Sequence, residues 1–424
     1  MLARIRRRLF SSFTLSFFLM LALTIALAAC ASTTTPGTTG STTSPQSTVA
    51  PSSLWYLLRG TKEADESWGV DVDSQGNVYY ATYQSLTAFP DWVIYKIAPD
   101  GKELWRRQWG RQWLDKSFVV TVAAPYVYIG GTTYNSFGPE DADMAIIALN
   151  MSDGGLVWER TWDQAHGYEE IDGIVVDGDS VFVSGWTAGK STNKDLALLK
   201  LTRAGEIVWA RSWGSAGWDE ANGHMVVDAD RIYLAGRYNA VNFLIGGQGL
   251  LASFSKATGE HLADTRWGPG GLTMDDALGL TTDGKSLYTV SISSDQARHT
   301  AGQIVLRRYT KDLHLEWEQA WGGNNGESAR ALVVDPSGDL LVAGTTESYG
   351  GGKKDIALLR FTSAGKLVYS QYWGGAGDEQ AFDVIESGAF IYIAGVTSSF
   401  GAGKSDGVLL KASSATGQFG ARQL

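Results

Sequence analysis

From residue 54 to the carboxy terminus, short apolar runs alternate with polar turns in groups of four. One group reads "GIVVD" (173–177), "SVFVSG" (180–185), "LALLKL" (196–201) and "GEIVWARSWG" (205–214). Another reads "ALVVD" (331–335), "DLLVAG" (339–344), "IALLRF" (356–361) and "GKLVYSQYWG" (365–374). Runs of this length, rich in Val, Ile, Leu and Tyr and bounded by Gly and Asp, predict strands. The third run is apolar at successive positions, as expected where both faces are covered. Links such as "DSQGN" (73–77), "PDGK" (99–102) and "DPSGD" (335–339) carry Asp and Gly where hairpin turns need them. No helical periodicity separates the runs, which excludes TIM-barrel and Rossmann architectures.

The groups repeat. Trp109, Trp162, Trp213, Trp267, Trp321 and Trp373 are spaced by 53, 51, 54, 54 and 52 residues, and each ends the fourth run. "LWYLLRG" (54–60) is a worn earlier copy, so residues 54–424 hold seven periods of about 53 residues. Four antiparallel strands repeated seven times predict an all-β, seven-bladed β-propeller. Trp105, Trp158, Trp209 and Trp317 stand four residues before the outer tryptophans. Both rings then share one strand face and pack against the adjacent blade, a structural role. The last copy, "GQFGARQL", lacks the Trp pair. The ring is therefore expected to close by pairing 53–60 with 407–413, which removes exposed strand edges.

The phrase "WGGAGDEQAFDVI…FIYIAGVTSSFGAGKSDGVLLK" resembles the bacterial β-propeller repeat known as SBBP. The resemblance runs over 54–424 and is weakest in 215–268, where Arg237 follows Gly236 in place of Thr and Gln248/Gly249 replace the Asp before strand three. It implies a secreted or surface propeller. A thinner similarity, through "ATGEHL" and "TRAGEIVW", links the chain to Trp-rich quinoprotein-like propellers, including the lipoprotein scaffold of outer-membrane assembly.

The amino terminus adds a location. "MLARIRRRLF" and "FFLMLALTIALAA" form the basic and apolar parts of a secretory signal over 1–29. Leu27-Ala28-Ala29-Cys30 resembles a bacterial lipobox, which implies cleavage before Cys30 and lipidation of that residue, the single cysteine of the chain. Several acyl chains anchor firmly. With Ala31 and Ser32 following, the resemblance implies the outer membrane in a two-membrane bacterium. Residues 30–53, rich in Ser, Thr and Pro, are a flexible tether.

Composition narrows the partners. The chain without its leader arginines carries 31 basic and 45 acidic residues, a formal charge of −14. That excess disfavours nucleic acid and anionic lipid headgroups as direct partners, leaving membrane contact to the lipid anchor. An envelope or extracellular protein or glycan is the expected target.

Candidate chemistry is sparse. The five histidines (166, 224, 261, 299 and 314) share no metal spacing. "GWTAGKS" (185–191) has three residues between its glycines where a phosphate loop needs four. Asp91, Asp143, Asp195, Asp355 and Asp406, just before strand three, read as turn fasteners. A further acidic residue recurs eight positions before the end of strand one: Asp65, Asp115, Glu169, Glu220, Asp275, Glu327 and Asp378. This ring is expected around the channel mouth, beside the strand two-to-three loops. There it either fastens its own corners or draws a cation or a ligand. No organic cofactor is expected. The reading is a binding or scaffold module; the rival is a quinoprotein-like or polysaccharide-cleaving enzyme, which needs a converging acid/base pair or a cofactor pocket.

Overall fold

The structure, a computed structural model, describes residues 53–424 except 87–88, 137–140, 165–166, 189–192, 223, 243–245, 269, 271–272 and 296–301. The expected leader, Cys30 and nearly all of the tether lie outside the described residues, as do His166 and His299. The remainder folds as a seven-bladed β-propeller. Blade one runs from the axis outward as Glu66–Val72, Val78–Gln84, Asp91–Ile97 and Glu103–Trp109, each strand antiparallel to the next. The following five blades repeat this order.

Two blades depart from four plain strands. In blade four the inner strand is split into Trp218–Ala221 and Val226–Val227, both paired with Arg231–Ala240. In blade seven, Glu379–Ser387, Phe390–Thr397 and Asp406–Ser413 are completed by Trp55–Arg59 from the other end of the chain. The register sets Tyr56 against Leu410 and Arg59 against Gly407, the expected closure. The carboxy terminus contributes as well. Arg422–Gln423 adds a fifth strand, parallel to Trp55–Tyr56 on its outer side.

The core is a set of apolar layers between blades. The layer between blades two and three joins Tyr128, Ile146 and Met144 to Ile171, Val183 and Leu199. Each inner tryptophan lies on the next blade's turn between strands three and four. Trp105 covers Gly154, Trp158 covers Gly205, Trp209 covers Gly259 and Trp317 covers Gly365. At the seam Trp55 covers Gly101, and Tyr369 takes the tryptophan's place over Gly417. These glycines all have positive φ, 69–93°, a region open to residues without a Cβ. A Cβ on Gly154 would stand 2.9 Å from the Trp105 ring, so glycine is required by space as well as by backbone. Trp105 Nε1 donates to Met151 O (3.2 Å) and Trp158 Nε1 to Arg203 O (2.9 Å), which tightens the interlock.

The outer tryptophans also reach the next blade. Trp213 stacks on His261 at 4.5 Å, Trp267 meets Tyr309, Trp321 meets Tyr349, and Trp373 meets Tyr56 and Phe400. Trp109 Nε1 donates to Glu159 of blade two, and Trp162 packs on the layer beneath it.

Candidate functional site

The corner carboxylates come first, because they position the rest. Five of the seven named residues occupy equivalent places: Asp65, Asp115, Glu169, Asp275 and Glu327. The other two corners are held by Asp219 and Glu379, one residue away from Glu220 and Asp378. Counting back from the end of strand one misplaced them for two reasons. The split inner strand of blade four carries an extra residue, and blade seven ends that strand at Ser387 rather than at Glu386.

All seven corner carboxylates are buried. Each accepts at least one hydrogen bond within its own corner. The backbone N–H two residues after the end of strand four donates to Asp65, Asp115, Asp219, Glu327 and Glu379, from Thr61, Arg111, Ser215, Gly323 and Gly375. The other oxygen accepts from a hydroxyl at the end of strand two in four corners: Thr187 to Glu169, Ser293 to Asp275, Thr346 to Glu327 and Thr397 to Glu379. Charge-assisted bonds of this kind offset desolvation. The ring therefore fastens blade to blade, and its oxygens face the corners rather than the mouth.

The aspartates before strand three stand opposite this ring. Asp355 accepts the Gly352 N–H and Asp406 those of Ala402 and Gly403, as turn fasteners do. They also face the next corner's carboxylate, across the glycine that follows the outer tryptophan. A Cβ on Gly214 would meet Asp195 and Asp219 together, and one on Gly374 would meet Asp355 and Glu379. Burial pushes the Asp115 carboxyl up to about 6, and Asp91 across the corner adds to the push. Glu169 is pushed up to about 7 by burial and by Asp163, Asp143 and Asp141 nearby.

One and three residues beyond the corner, the inner strands turn their side chains to the propeller axis. Sequence reasoning passed over these positions, because their chemistry differs from blade to blade. Trp68 of blade one stacks on Phe382 of blade seven at 4.0 Å and meets Phe118 of blade two edge-on at 5.2 Å. Arg330 of blade six lies 5.2 Å from the Trp68 ring, within cation–π range. Burial lowers the Arg330 pKa, opposed by Asp276, Asp172, Glu170 and Glu66. His224 of blade four reaches across to Asp383 of blade seven, Nε2 to Oδ1 at 3.3 Å. Burial opposes the charged imidazole, but Asp383 and Asp71 prevail and raise its pKa. Asp383 and Asp71 also accept the N–H groups of Val70 and Val122 in the following blades.

Glu220 belongs to this axial set. It pairs with Lys194 and Arg237, both at 2.5 Å, and these cations hold its pKa below the usual value against the opposing effect of burial. Asn222 donates to Asp276 (2.9 Å) in the next blade. Side chains of non-adjacent blades thus meet along the axis, where Glu220 and Asp383 have charged partners. At the far end, a cavity of about 470 Å³ opens between blades five, six and seven, lined by Asp283, Asp335, Ile385 and Glu386.

Of the phosphate-loop imitation, residues 189–191 lie outside the described residues. Gly185–Ala188 lie inside the strand Ser180–Ala188, and Gly185 passes close to the Glu170 carbonyl of the neighbouring strand.

The perimeter carries a second repeated feature. The residue before the inner tryptophan position is an exposed aliphatic in five blades: Leu104, Val157, Val208, Leu262 and Val368. Its equivalent at the seam, Leu54, is 2% exposed. There the carboxy-terminal segment lies against the strand, with Gly420 packed on Leu54 and Trp55.

No protein-family model matches the chain, and no curated protein matches it. Solved structures do. Quinohemoprotein alcohol dehydrogenase from Comamonas testosteroni is 12% identical, with a TM-score of 0.49 over 87% of this chain and 69% of that one. The Pan2 WD40 domain of Neurospora crassa is 10% identical, with a TM-score of 0.49 over 85% and 90%. The extracellular domain of a hybrid two-component system from B. thetaiotaomicron is 11% identical, with a TM-score of 0.46 over 80% and 38%. The architecture itself rests on the strand order, seven antiparallel sheets closed by the amino-terminal strand: the chain is a seven-bladed β-propeller.

Proposed function

We propose that the protein is an exported, lipid-anchored propeller of the SBBP-repeat type, acting in the cell envelope as a protein- or glycan-binding scaffold rather than as a catalyst. The lipobox-like Leu27–Cys30 and the tether behind it support the anchor. One observation carries the binding role. At the seam, the rim position is covered by an added strand of the chain's own terminus; on five other blades the same position is an exposed Leu or Val beside an open strand edge. An extended apolar segment of a partner fits such an edge by strand addition, where backbone bonds supply affinity and side chains select.

The test is a comparison of two captures from detergent-solubilised envelopes. Wild type should enrich a partner that Val157→Lys/Val208→Lys loses, while both proteins melt alike. Equal enrichment overturns the rim as the docking edge. Mass spectrometry of the mature amino-terminal peptide checks the anchor. An unmodified Cys30, or a Cys30→Ser protein still fully membrane-bound, refutes it.

A further inference from the structure

We infer that the corner between blades two and three is a calcium site, formed by Asp143, Asp163 and Glu169. One ligand oxygen from each of these carboxylates lies within 4.8 Å of the others. Six other corners place glycine directly after strand four: Gly60, Gly110, Gly214, Gly268, Gly322 and Gly374. Those glycines leave no room for a side chain. A Cβ on Gly322 would fall 2.7 Å from Glu327 Oε2, and one on Gly374 2.5 Å from Glu379 Oε2. At this corner the glycine is replaced by Asp163. Seven residues separate Trp162 from Glu169, against six between Trp321 and Glu327 or Trp373 and Glu379. A third carboxylate thus stands at a position where the repeat otherwise forbids any side chain.

A second, independent observation points to a ligand. Glu169 is 0% exposed, and its Oε2 has no hydrogen-bond partner among the described residues. In Glu327 and Glu379 the same oxygen accepts the N–H two residues after the outer tryptophan. It is also the oxygen that faces the corner glycine. In Glu169 no such donor is found among the described residues, and a carboxylate oxygen of Glu169 lies within 4.8 Å of one of Asp163. A buried carboxylate oxygen without a donor requires a cation or a proton, and burial of an unpaired charge is costly.

The donor set chooses the cation. Three carboxylates without nitrogen or sulfur suit a hard ion. Calcium takes six to eight oxygens at about 2.3–2.6 Å in flexible geometry, and the three carboxylate oxygens stand close enough together to share one ion. Magnesium demands near-ideal octahedral geometry, keeps several waters and usually takes one or two carboxylates, so a three-carboxylate set favours calcium. Asp163 is exposed, so the site meets solvent on that side. The bound ion joins strand three of blade two to the inner strand of blade three. It is independent of the rim and of any partner there.

The probe is terbium, a calcium substitute whose emission is sensitised by a nearby indole; Trp162 adjoins Asp163. Full-length protein in detergent should show saturable terbium emission that calcium displaces, and calcium should raise its melting temperature over an EDTA-treated control. Asp163→Gly, which restores the glycine of the other corners, should keep the fold and weaken terbium and calcium binding at least tenfold. Asp163→Asn should weaken both less. Absence of saturable emission in the wild type overturns the site. So does unchanged emission in Asp163→Gly, which would place the ion elsewhere.

Discussion

Blades four and six share one plan and solve it with different residues. In blade six the second residue of the inner strand, Ser328, sits opposite Thr345, a neutral pair. In blade four the same register sets Glu220 opposite Arg237, a buried ion pair with Lys194 beside it. Toward the next blade, blade six presents Tyr369 over Gly417. Blade four has Ala263 at the ring position, and blade five answers with Leu313 in place of the turn glycine, buried at φ 65°. A large ring on a glycine has become a small residue beneath a leucine. The repeat thus conserves volume and charge balance across an interface rather than residue identity, because a packed interior tolerates volume-conserving exchange best.

The largest effect should come from breaking the ion pair. Arg237→Met leaves Glu220 buried with Lys194 alone and should cost about 3–5 kcal/mol in urea unfolding. Transplanting the pair of blade six, Glu220→Ser with Arg237→Thr, should recover most of that loss. A double variant as unstable as Arg237→Met would show that the pair is required by blade four rather than merely allowed there. The wild-type advantage should also shrink in acid. The Glu220 pKa is depressed in the folded state, so its stabilisation is present above the ordinary carboxylate range and lost as pH falls.

The Leu313 exchange comes next. Leu313→Gly relieves an unfavourable backbone but opens a cavity opposite Ala263, for a net loss of about 2–4 kcal/mol. Adding Ala263→Trp rebuilds the ring-on-glycine arrangement and should restore the melting temperature. Failure of that rescue would mean that the neighbouring layer of Val226, Tyr233 and Leu251 has adapted to leucine beyond repair by one substitution.

The smallest effect concerns a carboxylate whose burial outweighs the cation near it, Arg111. Asp115 is raised from 3.8 to about 6 by burial, the opposite sign to Glu220. Its contribution is therefore most favourable below pH 4 and is lost as pH rises through about 6. Asp115→Asn keeps an oxygen for the Arg111 N–H and removes the charge. It should be more stable than wild type at pH 7 by about 1–2 kcal/mol, with the gain vanishing near pH 4. A constant difference across that range would mean that Asp115 stays ionised throughout.

Legibility in the sequence followed periodicity. The seven blades, the Trp interlocks and the closure by residues 53–60 were all readable, because each repeats or completes a repeat. The corner ring was readable in five blades and displaced by one residue at Glu220 and Asp378, where an insertion and an altered strand end broke the count. The axial set could not be found by repetition. Trp68, Asp172, Asn222 and Arg330 occupy related positions but share no residue type. One signal was present: the departures of 215–268 from the repeat, Arg237 above all, mark the blade whose inner strand carries the buried ion pair and His224.

The sequence by itself determined the architecture: strand and turn through short-range patterning, repeat length and blade number through a period of about 53 residues. The tertiary structure decided which charges are consumed and which remain. Whether a carboxylate is a fastener, half of an ion pair or a calcium ligand depends on what stands within a few ångströms of it. At Glu169 that neighbour comes from another blade and from one extra residue in a loop. Electrostatic interaction falls with distance and rises with burial, and neither quantity exists until the ring has closed.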